Sequence, residues 1–60
     1  MFKYIEIVEY GDNQVAKRMD VSHKSDRMIE KIEDGIMINL NHDEFYVQSV
    51  ETDEKLDVVG

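Results

Sequence analysis

Four groups of side chains in this 60-residue chain have types and spacing that can do chemistry. His42-Asp43-Glu44 is the densest run of metal-ligating types. Zinc takes three or four ligands, however, and three consecutive side chains cannot converge on one ion. The only other histidine is His23, so the run reads as a polar turn before a strand. Ser22-His23 places a nucleophile type beside a base type, but sequence neighbours on a helix do not face each other. Asp53, Glu54 and Asp57 lack the glycine and the alternate-position pattern of a calcium loop. The three glycines, Gly11, Gly35 and Gly60, stand apart, so there is no phosphate-cradling loop. These residues point away from an enzyme and call for no metal or other cofactor.

Binding chemistry is better represented. Lys24, Arg27 and Lys31 recur at i, i+3 and i+7, a basic stripe if they share a helix, with Lys17 and Arg18 near it in sequence. The opposing group is larger. Glu44, Glu51, Asp53, Glu54 and Asp57 form an acidic array that can imitate the phosphates of DNA. Tyr10, Tyr46 and Phe45 are candidate partner contacts, because aromatic side chains dominate interface hot spots.

Charge decides between these. Fourteen acidic against seven basic side chains give a net charge of −7. Residues 1–30 carry five basic and six acidic groups, whereas residues 31–60 carry two and eight. Duplex DNA or an anionic membrane repels such a second half, since phosphate affinity comes from Lys and Arg. Direct nucleic-acid binding is therefore disfavoured, and a basic or DNA-binding protein is the electrostatic match. The longest apolar runs are three residues, Ile36-Met37-Ile38 and Phe45-Tyr46-Val47, against the ~20 needed to span a bilayer. With charges at Lys3 and Glu6 there is no secretory h-region, and the reading is a cytoplasmic protein.

These groups need elements to hold them. Residues 2–10 are rich in β-branched and aromatic types and predict a strand. Gly11-Asp12-Asn13 supplies a turn, and Val15, Met19 and Val21 alternate with polar residues, a period broken at Lys17. Together these predict a β-hairpin. Ser22 or Ser25 can cap a helix over about 23–34, with Met28, Ile29, Ile32 and Ile36 at helical spacing. Two courses are open after Gly35. Either Gly35 ends the helix and Ile36, Ile38 and Leu40 face the core from a strand, or the helix runs on to Leu40. The alternation after Asp34-Gly35 favours the strand. Residues 45–51 predict a further strand, and 52–60 read as a loose acidic tail, in which Leu56, Val58 and Val59 could still dock. The expected fold is α+β, ββαβ or ββαββ, in one domain over 1–60. A chain this short buries only about 60% of its unfolded surface. It has no cysteine for a disulfide, so a homo-oligomer is expected. Its exposed sheet edge joins the tyrosines as the expected contact surface.

The stretches Tyr4-Ile5-Glu6-Ile7, Val15 to Val21, Lys24-Ser25-Asp26-Arg27, Ile29-Glu30-Lys31-Ile32-Glu33 and Ile38-Asn39-Leu40-Asn41 resemble small accessory proteins of phages and prophages of Gram-positive bacteria. The resemblance covers about residues 3–50. It implies a viral accessory role in a bacterial cytoplasm, through a host factor or an assembling particle, and transfers no functional residue.

Overall fold

The computed structural model describes all residues from Met1 to Gly60. The order is β1 (Phe2–Glu9), β2 (Val15–Asp20), α1 (Asp26–Asn39) and β3 (Phe45–Thr52). The strands form one antiparallel sheet in the order β2-β1-β3. The fold is thus α+β, in its ββαβ form.

The hairpin closes where Glu9 N–H donates to the Gln14 carbonyl at 2.9 Å. Its left-handed residue is Asn13 (φ 55°), and the Asp12 carboxylate accepts from Gln14 N–H. Asn tolerates that conformation better than most side chains. The break in alternation at Lys17 has a cause. Ile7 pairs with Lys17 but Val8 with Val15, so Ala16 is an extra residue, a β-bulge. Val15 therefore shares the face of Val8, whereas Met19 shares that of Ile5.

Odd positions of β1 face the helix. Ile5, Val21 and Ile29 form the core, with Met19, Ile32, Ile36 and Val47 packed around it. Ser25 caps α1, its hydroxyl accepting from Met28 N–H at 3.3 Å. Ser22, the other candidate cap, is engaged elsewhere: its hydroxyl accepts from Lys3 N–H and donates to the Lys3 carbonyl. The helix starts three residues later than the 23–34 expectation, and it does not stop at Gly35. It runs to Asn39, which corrects the favoured strand over Ile36–Leu40. Gly35 has no left-handed φ, and Ile36 continues the line of Ile29 and Ile32 onto the sheet. Ile38, which a strand would bury, lies on the outer face of the helix at 80% exposure.

Even positions of β1 face the other way, and the end of the chain covers them. Past Thr52 the tail crosses beneath the sheet. Leu56 N–H donates to the Tyr4 hydroxyl at 2.9 Å, and Asp57 O accepts from Arg18 Nη1 at 3.0 Å. Val59 forms a β-bridge to Arg18 on the outer side of β2. Acidic residues surround Leu56 and Val59, and of the two courses open to the tail the structure takes the docked one, across Tyr4, which is 1% exposed.

Candidate partner-binding surface

The tyrosines come together. Tyr10 lies just beyond β1 and Tyr46 is the second residue of β3, on the face opposite the helix. Their rings stack at 4.9 Å between centroids with a 45° tilt, and Tyr10 N–H donates to the Glu44 carbonyl. Tyr10 is 54% exposed, Tyr46 half-buried and Glu44 exposed. Offset or tilted aromatic pairs are favourable contacts, so the rings form a fixed apolar patch with a carboxylate-bearing residue beside it. Phe45 is half-buried and points to the helix side of the sheet, opposite Glu9.

The acidic array divides. Glu44 precedes β3 whereas Glu51, Asp53 and Glu54 lie at its far end, all exposed. An eight-residue strand separates the two ends by roughly 23 Å. Glu51 instead joins Asp26, Glu30 and Glu33 of the helix around a groove of about 200 Å³ floored by Val21 and Ile29. Sequence reasoning missed these helical carboxylates, because only the docking of α1 beside β3 makes them neighbours of Glu51. Lys3 projects into the groove, 3.0 Å from Asp26 Oδ1. The Asp26 hydrogen bond and charge, reinforced by Glu51, raise its amine above the ordinary value.

The basic residues do not assemble on one element. Lys24 sits in the turn before α1, its N–H bonded to the Val21 carbonyl, so only Arg27 and Lys31 of the stripe are helical. Both are exposed and neither forms an ion pair. Arg18 lies on the face away from the helix, where its Nε contacts Glu6 Oε2 at 2.6 Å. Lys17 lies against Gly60.

The remaining candidates have structural partners. His42 Nε2 lies 2.8 Å from the Met37 carbonyl, and Asn41 Oδ1 accepts from Asp43 N–H. No group of three His, Asp or Glu side chains converges as a metal site, and no helix is long and apolar enough to cross a membrane. Beside Ser22, the Asp20 carboxyl is held below its ordinary value by the Ser22 hydroxyl and by Ser22 N–H, which donates to Oδ1 at 2.9 Å. The hydroxyl has one proton and the Lys3 carbonyl competes for it, so the N–H is the steadier donor.

Comparison with protein-family models, with characterised proteins and with solved structures finds no match for this chain.

Proposed function

We propose that this protein works by binding another protein through the Tyr10–Tyr46 patch and the carboxylates near it. On the phage resemblance, the partner is a basic or DNA-binding factor of a bacterial host, met in the host cytoplasm. The supporting observation is the stacked tyrosine pair with its outer ring half in water. An apolar patch with a polar rim matches the anatomy of an interface hot spot. The patch sits on the side of the sheet away from the helix, so a partner can reach it without disturbing the core.

The test is Tyr10→Ala against the wild type, using tagged protein in a nuclease-treated lysate of a Gram-positive bacterium. A retained basic protein that is lost on Tyr10→Ala, with an unchanged circular dichroism spectrum, supports the reading. A partner held equally by both forms overturns the role of the tyrosines.

The carboxylates that gather at the far end of β3 support a second reading, a DNA mimic. Asp26, Glu30, Glu33 and Glu51 line one groove, and Asp53 and Glu54 follow directly in the chain. That reading requires a partner that duplex DNA displaces and that leaves steeply with salt. Capture that ignores competing DNA eliminates it.

A further inference from the structure

The two edges of the sheet are unlike. The β2 edge carries the bulge at Ala16, the charges of Lys17 and Arg18, and a cover: Arg18 N–H donates to the Val59 carbonyl at 2.9 Å, and Val59 N–H returns the bond at 3.3 Å. These are the usual devices that keep a sheet edge from pairing with another chain. The β3 edge lacks the bulge and the covering strand. It runs eight residues without a bulge in its pairing to β1, it has no proline, and from Phe45 to Val50 it has no charge.

Which backbone groups face outward follows from the hydrogen-bond phase. Tyr10 N–H donates to the Glu44 carbonyl, one step beyond the Glu9–Phe45 pair, so Tyr10/Glu44 is a bonded pair of the ladder. Antiparallel ladders alternate bonded and non-bonded pairs. Val8/Tyr46, Glu6/Gln48 and Tyr4/Val50 are then bonded, and the backbone groups of Val47, Ser49 and Glu51 point off the sheet. The other side of β1 agrees in phase, since the Lys3 carbonyl accepts from Val21 N–H.

We propose that this open edge pairs antiparallel with β3 of a second copy of the chain, making one continuous sheet of two three-stranded halves about a two-fold axis at Gln48. The axis stands perpendicular to the sheet and keeps both helices on one side. Residues placed opposite each other then lie on the same face: Val47 opposite Ser49 of the second copy, Tyr46 opposite Val50, and Phe45 opposite Glu51. Over the paired run 44–52 no carboxylate opposes another, and like charges directly opposite are destabilising. The outward groups of Val47 and Ser49 match in this register, and the outward Glu51 N–H meets the Phe45 carbonyl. The Phe45 N–H, already donated to Asn41 O, is not needed. Met37, 47% exposed, lies four residues on from groove-lining Glu33 and so on the helix flank nearest this edge, where it adds apolar surface. A second copy is the fitting occupant because an uncharged strand with this phase is complementary to itself. The pairing does not depend on the tyrosine reading above.

Sedimentation equilibrium over a wide concentration range, with amide exchange followed by NMR, tests it. The mass is expected to double from 7.1 kDa with concentration. Exchange at Val47, Ser49 and Glu51 slows in step, while Tyr46 and Gln48, already bonded to β1, stay protected. Ser49→Pro removes an outward donor and spares the β1 ladder; it is expected to abolish the dimer and leave the circular dichroism spectrum unchanged. A monomer at all concentrations with those three amides exchanging freely overturns the proposal. So does a dimer that survives Ser49→Pro, or edge amides protected only when a different protein is added.

Discussion

Glu6 is a carboxylate in the middle of the sheet, 4% exposed, and both of its oxygens are used. Oε2 accepts from Arg18 Nε and Oε1 from Gln48 Nε2, each at 2.6 Å. These donors are its cross-strand neighbours on β2 and β3, so one polar row runs straight across the sheet. Arg18 then passes a further N–H to Asp57 of the tail. Breaking a buried pair from one side leaves an uncompensated charge and costs about 3–5 kcal/mol, whereas replacing both partners by apolar groups is often neutral. Arg18→Met is therefore expected to lower unfolding free energy by about 3 kcal/mol. The Glu6→Leu, Arg18→Met double variant is expected to regain most of that loss in urea denaturation. A double variant as unstable as the sum of the singles would show that the pair does not act as a unit. The row also opposes slippage, because a shift of one residue turns Glu6 toward the helix, against Met19, Ile29 and Val47.

Among the elements, the hairpin is legible in the sequence and the end of the helix is not. Gly11-Asp12-Asn13 between two β-rich runs has few other readings. Ile36 and Leu40, by contrast, fit a strand alternation and a helical stripe equally, since four residues are two strand periods and about one helical turn. Only Ile38 separates the readings, and its exposure becomes visible once the helix is docked. The bulge was present as the irregularity at Lys17, but its residue, Ala16, is identified only by register. The tyrosines could be singled out from residue type alone. The groove carboxylates could not, because it takes the packing of α1 beside β3 to bring Glu30 and Glu33 to Glu51. The helix also carries a prediction. A Cβ built on Gly35 meets no atom within 4 Å, and a mid-helix glycine is less favourable than alanine by roughly 0.5–1 kcal/mol. Gly35→Ala is expected to raise stability by about that amount and the melting temperature by several degrees. A lower melting temperature would show that the glycine serves a conformation other than the continuous helix.

At the scale of the whole molecule, two surface contacts make stability depend on pH at opposite ends of the range. Asp20 is held below the ordinary value of 3.8 in the folded chain. Its contribution is present above 3.8 and is lost as pH falls through the lower folded value. Lys3 is raised above 10.5 by Asp26, so its contribution is present below 10.5 and is lost as pH rises through the higher folded value. For these two groups stability is flat between the limits and falls at both ends. Asp20→Asn is expected to flatten the acid limb alone and Lys3→Met the alkaline limb alone, in urea titrations across pH. An acid limb unaltered in Asp20→Asn would place the acid sensitivity elsewhere.

The strand order has a consequence for synthesis. β1 is translated first yet lies in the centre, flanked by a strand that follows at once and another that arrives only after the helix. Until Phe45–Thr52 leaves the ribosome, the hairpin stands with the inward-facing amides of Tyr4, Glu6 and Val8 unmet. The edge at risk in the nascent chain is thus one that the finished fold conceals. Where several ribosomes read one message, the nearest competitor for it is the identical β3 of a neighbouring chain, so exchange of β3 between copies is the misassembly this topology most invites.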